Sequence, residues 1–443
     1  MHLGVHSIWR FRLARVVLDV LLVAALLTGC GQDRAAAAGG RIPIRFFIMF
    51  TSTRQAEFYK WAEQTYEKAH PDIDIIVEQF PGTSLKDFEI KLRLRFSSGE
   101  APDLFQAHEN MVAGYAFLGL LSEAPPYIEK IVQENSLNDM VRQAPYFRGK
   151  CYGIVNDAVW QALYYNKKMF RDAGLDPDHP PETWDQLIDY ADRLTVRRPD
   201  GSIERAGFSV RKTGYKAGTA EKWFTFLFSA GGRPFSIDGT RATFNSPAGR
   251  RALQIYAEML FRRKVDSVSL EGDQQGFGQG RVAMFLREMH VIRWMDEHYP
   301  DVEYGVAPLP RDMYSISSGG SYILTVPKDA PHPEASWRFV QFLMQDDVYA
   351  RYVSIGGLMP VTRSVASLPR FRDDPYLKVY FEQKVAPMHP FPRIIQASDI
   401  LGAYIERFCY GQIGAEEMLR RAERDINGLL SRNHKQEEVA DAR

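Results

Sequence analysis

Residues 149–187, GKCYGIVNDAVWQALYYNKKMFRDAGLDPDHPPETWDQL, admit few folds. β-Branched and aromatic residues fill Tyr152-Gly153-Ile154-Val155 and again Ala162-Leu163-Tyr164-Tyr165, so two strands are expected, parted by the polar pair Asn156 and Asp157. Asn166 can then cap a helix over residues 167–173 that Gly174 closes, and a Pro-rich loop leads to Thr183, where a second helix begins. The order is strand, crossing, strand, helix, loop, helix, which belongs to a mixed α/β protein.

The first strong strand upstream tells the same story. Residues 44–50, IRFFIMF, lead into the loop Thr51-Ser52-Thr53 and an amphipathic helix through Glu57, Trp61, Tyr66 and His70, which Pro71 stops. Ile73-Asp74-Ile75-Ile76-Val77 is the next strand, giving a βαβ unit and a parallel sheet. Ligands of such sheets sit off the carboxyl ends of the strands, which places Thr51, Thr53 and Arg54 at the rim of a site.

Four short motifs follow: SSGEAPDL at 97–104, FGQGRVAMF at 277–285, GVAPLP at 305–310 and GGLMPV at 356–361. Together with the GKCYGIV, LYYNKKMFRDAGL and PETW wording above, they closely resemble the extracytoplasmic carbohydrate-binding proteins of ABC importers, the family 1 solute-binding proteins. Val155 stands where that family usually has Pro. The resemblance implies an α/β, two-lobed periplasmic-binding-protein fold of type II-like build, its lobes joined by hinge strands around a ligand cleft whose floor residues 156–162 would cross. It also implies a division: 41–156 as the first part of lobe 1, and 157–302 as mostly lobe 2 with 275–302 returning toward lobe 1. A lobe 1 strand and crossing would fill 303–330, mostly lobe 2 helices 331–432, and a polar tail 433–443.

Candidate ligand contacts follow from the resemblance, each beside a plainer reading. His108 and Asn110 lie at a strand's carboxyl end, in a loop that presents polar and aromatic groups in maltose-binding relatives; Asp103 reads instead as a turn residue. His108 has no second ligand-type residue beside it, so no metal site is expected. Asp157 and Trp160 fall in the crossing itself. Glu221 and Trp223 would offer a hydroxyl acceptor and an aromatic face, although Trp223 serves equally well as packing between helices.

Arg287, Glu288 and His290 stand where sugar-binding relatives carry a small polar residue, Gly and Trp. The two charges can pair with each other or, in a water-poor cleft, with a ligand. Gly320 and Tyr322 belong to a Ser/Gly segment whose backbone N–H groups can approach a ligand closely. Arg393 follows a Pro-Phe-Pro turn where relatives hold the ligand with Arg or an aromatic residue.

Residues 1–29 place Arg10, Arg12 and Arg15 before a short apolar run ending Leu27-Thr28-Gly29-Cys30, the build of a lipoprotein signal peptide. Cys30 is the expected lipidation site and residues 30–40 a flexible tether, leaving a protein hung from the membrane by its lipid. The chain has 55 basic and 55 acidic residues and no dense basic run, which argues against a nucleic-acid partner. Cys151 and Cys409 could pair after export, but two separate buried thiols is the preferred reading.

No G-x-S-x-G, H-E-x-x-H, Gly-rich phosphate loop or Cys/His cluster is present, so no enzyme and no cofactor are expected. A glycosidase pair such as Glu109 and Glu288 is the rival of a different class, and a polysaccharide-binding adhesin another. The expected function is that of a monomeric receptor that traps a sugar, or else a polyol or glycerol-phosphate solute, and delivers it to an ABC permease.

Overall fold

The computed structural model describes residues 40–49, 53–81, 85–270, 273–388 and 391–441. The expected leader, Cys30, nearly all of the tether and Thr51 lie outside them, as does the side chain of Thr53.

β1 (Ile42–Ile48) sends alternate side chains into two helical layers. Phe46 meets Tyr59 of α1 (Thr53–Ala69) edge-on at 5.4 Å, while Phe47 stacks on Phe88 at 4.9 Å from the opposite layer. After β2 (Ile73–Gln79) comes α2 (Leu85–Ser97), the helix that carries Phe88. β3 (Leu104–His108) runs parallel to β1 on its other side, so chain direction across the sheet reverses between β1 and β3. The carboxyl ends of these strands face the crevice such a reversal opens. α3 (Glu109–Phe117) starts there, with His108 at its N-cap.

β4 (Ile154–Asn166) is one continuous strand where two were expected. Asn156 and Asp157 do not break it, because Asn156 is satisfied inside: its Oδ1 accepts from Gln106 Nε2 at 3.1 Å and its carbonyl from Tyr349 Oη at 3.0 Å. Asn156 is the extra residue of a bulge in β4, since the consecutive partner residues Tyr322 and Ile323 pair with Asp157 and Val155. Asn166 caps α4 (Lys167–Asp172) and Thr183 caps α5 (Trp184–Leu194), as the sequence implies.

Residues 207–210, GFSV, read as a short strand from the sequence, join no sheet; the segment makes isolated bridges, Ala206 to Val282 and Ser209 to Phe285. α6 (Lys216–Ser229) follows. Then come α7 (Pro247–Ala257), α8 (Asp273–Gly278), β5 (Met284–Glu288), α9 (His290–His298) and β6 (Tyr304–Ala307). Past these lie β7 (Ile316–Ser317), β8 (Gly319–Thr325), α10 (Pro333–Leu343), α11 (Asp346–Gly356), α12 (Pro375–Glu382) and β9 (Lys384–Val385). α13 (Ile394–Cys409) and α14 (Ala415–Asp441) end the described chain. α14 continues through most of the residues expected as a tail.

Seven strands make one sheet in the order β6-β4-β8-β3-β1-β2, with β5 also paired to β4. The first part of β4 pairs antiparallel with β8, and its second part with β5 and β6. β4 therefore carries the chain from one lobe to the other. A second passage is Ser318, the single residue between β7 and β8, and a third is β9, parallel to β7. Gly319 is required here: a Cβ would lie 2.7 Å from Val385 Cγ1 and 3.3 Å from the Val159 carbonyl.

Two lobe assignments are corrected. β6 pairs with Leu163–Asn166 and so stands with the second lobe rather than the first. α10 and α11, expected among second-lobe helices, lie on α1: Phe339 touches Phe46 and Tyr66 at 6.1 and 5.0 Å, and Tyr352 touches Phe58 at 4.9 Å. The spacing of Trp337, Phe339 and Phe342 marks a buried face on α10, but a stripe does not name its partner. Cys151 and Cys409 are both free and buried. Among the described residues no helix is long and apolar enough to cross a membrane.

Candidate functional site

A cavity of about 450 Å³ opens where the passages between lobes meet. The first lobe contributes His108 at the end of β3, with Gly320 and Tyr322 on β8. Val159 and Gln161 form the floor on β4, and period-two alternation puts them on one face. From the second lobe come Arg211 and Tyr215, then Gly218, Glu221 and Lys222 of α6, and Arg287 and Glu288 of β5.

The floor is held by a closed hydrogen-bond set. Gln161 Nε2 donates to Thr225 Oγ1 at 3.0 Å and Ser318 Oγ at 2.9 Å, and Ser318 Oγ donates to the Glu221 carbonyl at 2.7 Å. Ser318 has then spent its proton, so Thr225 is the donor in the 2.9 Å contact between the two hydroxyls. Gln161 Oε1, in a side chain 2 % exposed, has no partner among the described residues. It is a buried acceptor left unsatisfied at the cavity floor.

On the first-lobe side, burial pushes the His108 imidazole down to about 4, so the ring is neutral. Nδ1 accepts the Asn110 backbone N–H at 3.3 Å, which leaves the proton on Nε2. Nε2 lies 3.2 Å from where a Cβ on Gly320 would stand, and so glycine keeps this donor uncovered. Beneath it Glu109, 2 % exposed, accepts from Ser321 Oγ. Burial, opposed by that bond and aided by the Glu221 charge, raises its carboxyl to about 8.

The second-lobe wall is charged. Lys222 pairs with Glu288, and Arg287 lies 3.6 Å from the same carboxylate and donates to Gln274 Oε1 at 3.2 Å. Burial raises Glu221 to about 7, against the pull of Lys222, and its Oε1 accepts from Asn110 Nδ2 across the cleft at 3.4 Å. Lys212, 6 % exposed, contacts both oxygens of the fully buried Asp266 at 2.7 Å. Asp266 also accepts the Val210 N–H, so the pair fixes the extended segment from which Arg211 reaches the cavity. Donors and acceptors thus both line the opening, together with Tyr215 and Tyr322. Among the described residues no cluster of His, Cys, Asp and Glu could hold a metal ion.

The cavity brings together His108, Glu221, Arg287, Glu288, Gly320 and Tyr322 of the expected residues. Asn110 stands one bond behind, on Glu221. The others lie elsewhere. Trp223 is fully buried between Phe224 and Phe244, because it sits on the core face of α6, one residue from the cleft-facing Lys222. Trp160, 2 % exposed, points opposite to Val159 and Gln161 and donates Nε1 to the Tyr380 carbonyl at 2.9 Å.

Asp157 is buried near the Tyr59, Tyr349 and Tyr352 phenols, with burial raising it to about 7. Arg54 pairs with Glu297 at 2.8 Å, and His290 is exposed at the start of α9. Arg393 occupies a left-handed turn, φ 68°, ahead of α13 and does not line the cavity.

Sequence reasoning missed Arg211, Tyr215 and Lys222, and did not single out Gln161 and Ser318 within the expected floor and Ser/Gly segments. Alternation from Asp157 through Val159 would have named Gln161. The carboxyl end of the 207–210 segment would have named Arg211 by the rule applied to β1.

The sequence profile of the bacterial extracellular solute-binding proteins matches residues 51–350. A Brucella abortus binding protein is 23% identical over 92% of this chain and 98% of its own length. The sn-glycerol-3-phosphate-binding periplasmic protein of Salmonella typhimurium is 26% identical over 77% of this chain and 80% of its own. Among solved structures, an ABC transporter solute-binding protein of Thermotoga lettingae bound with alpha-D-tagatose superposes with a TM-score of 0.75 at 25% identity, covering 88% of this chain and 99% of that one.

Proposed function

The chain belongs to the bacterial extracellular solute-binding proteins, and from that premise we propose that it is the receptor of an ABC importer for a carbohydrate, held in the cleft between its lobes. The observation that carries this reading is the wall itself. Neutral His108 Nε2, Arg211, Lys222 and Arg287 supply donors, while Gln161 Oε1, Glu221 and Glu288 supply acceptors. A ring of both kinds suits vicinal hydroxyls, each of which donates and accepts, and the tyrosine rings offer apolar faces to C–H groups. The tagatose held by the Thermotoga protein supports the same ligand class.

The receptor would lodge solute between lobes, close around it and present the closed form to a permease. Lipid attachment at Cys30 would hold it at the outer face of the cytoplasmic membrane or in the periplasm as a monomer. We read it as a binder and not a catalyst, since Glu109 is bound to Ser321 and Glu288 to Lys222, which leaves neither carboxylate placed for acid–base work.

A phosphorylated polyol is the second reading, favoured by the convergence of Arg211, Lys222 and Arg287 and by the Salmonella relative's ligand.

Thermal unfolding against a panel of monosaccharides, oligosaccharides and sn-glycerol-3-phosphate tests both readings. A true ligand at 100-fold its Kd adds about 2.7 kcal/mol of stability. Stabilisation by sugars, recovered unaltered, is the expected result. Stabilisation by the phosphate ester alone selects the second reading, and release of new reducing ends overturns the receptor.

A further inference from the structure

Behind the cleft wall lies a second chamber of about 280 Å³, built wholly from the second lobe except for Gln161 on the floor. Phe208, Phe226, Tyr256, Leu270, Phe285 and Leu286 form its sides, and it reaches the surface past Val268, which is 38 % exposed. The chamber and the cleft share Gln161, Arg211, Lys222 and Arg287, so the two are neighbours through one polar threshold. Well-folded interiors leave few voids larger than a water molecule, and an apolar cavity of about 150 Å³ is enough to take up benzene. A larger, mostly apolar space, bordered also by Ser209, Lys212 and Thr213, that opens onto a polar cleft is a place for part of a ligand.

Two polar atoms sharpen its chemistry. Gln161 and Tyr256 both border the chamber, and Gln161 Oε1 and Tyr256 Oη are buried and without partners among the described residues. A hydroxyl of the sugar can satisfy the first, and a polar substituent on an otherwise apolar group can satisfy the second.

Resting on the carbohydrate reading above, we propose that the solute is an aryl glycoside, its sugar in the cleft and its aromatic aglycone in this chamber with a hydroxyl reaching Tyr256. The shape argues for one amphiphilic ligand rather than two: the polar cleft recognises the sugar, and the apolar chamber discriminates among its derivatives.

Calorimetric titration with matched 4-hydroxyphenyl and methyl glycosides of glucose, galactose, mannose and xylose tests the assignment. For at least one sugar the aryl form should bind tenfold or more tighter than the methyl form. Val268→Trp, on the exposed rim, should collapse that ratio to within twofold, and Leu286→Trp should do the same if it retains cooperative unfolding. Tyr256→Phe should lower the ratio severalfold. Equal affinity for the two forms, or an aryl preference that survives Val268→Trp, overturns the chamber assignment while the carbohydrate reading stands. Binding of none of the glycosides by folded protein overturns both.

Discussion

Glu109 shows how a single buried carboxyl ties stability to pH. Its folded value of about 8 lies above the roughly 4.3 of an unfolded glutamate. Between those two the folded protein holds a proton that the unfolded chain has released, so stability falls as pH rises through that window and is complete only below it. Glu221 and Asp157, each raised to about 7 by burial, add the same sign. Glutamine imitates the neutral acid and keeps an oxygen for Ser321. Glu109→Gln should therefore flatten the loss of Tm between pH 5 and 9 in proportion to this residue's share; an unchanged slope would show that Glu109 does not supply it. Trp223 belongs at the same scale. With the indole fully buried, Trp223→Ala should cost about 3–5 kcal/mol in denaturant unfolding. A variant of native stability that lost only ligand affinity would return this residue to the cleft.

At the scale of elements, the segment leading into α6 depends on one buried ion pair. Removing the charge from Lys212 leaves Asp266 buried with its backbone contacts but no cation, a loss of about 3–5 kcal/mol by analogy with other broken buried pairs. Lys212→Met should show that loss in urea, and ligand affinity should drop as well because Arg211 loses its anchor. Normal affinity in a destabilised variant would separate the two effects. This pair also marks where sequence reading stops. Caps such as Asn166 and Thr183 are local, made within three residues, and both were legible. Lys212 and Asp266 are 54 residues apart, and nothing in either neighbourhood points to the other. The same limit hid the placement of α10 and α11 on α1, and it turned Asn156 into a break when Gln106 and Tyr349, both distant in sequence, had satisfied it. Of the cleft, the residues on motif-bearing strand ends were legible, while helix phase was read only in part: Glu221 reaches the cavity as expected, but Trp223 and Lys222 differ by one position and face opposite ways.

For the whole molecule, what matters is how firmly the lobes hold each other across three thin passages. α9 follows β5 in the second lobe, yet its Arg293 donates to the Ser354 and Ile355 carbonyls at 3.1 and 2.7 Å, at the carboxyl end of first-lobe α11. A guanidinium at a helix carboxyl terminus meets orphan carbonyls and a favourable dipole. Arg54 to Glu297 at 2.8 Å and Asn110 to Glu221 at 3.4 Å join the same two lobes elsewhere. The Arg54 pair is about two-fifths exposed on both sides and contributes little. Arg293, with two bonds into a partly covered helix end, is the stronger clasp. If these contacts stabilise the closed arrangement, weakening them shifts the population toward open molecules and lowers apparent affinity by the same fraction, without touching a ligand contact. Arg293→Ala should therefore raise the radius of gyration of ligand-free protein in small-angle scattering, and saturating ligand should restore the smaller value. Identical scattering from both proteins, free and bound, would mean that Arg293 packs the surface and does not set the balance between lobes.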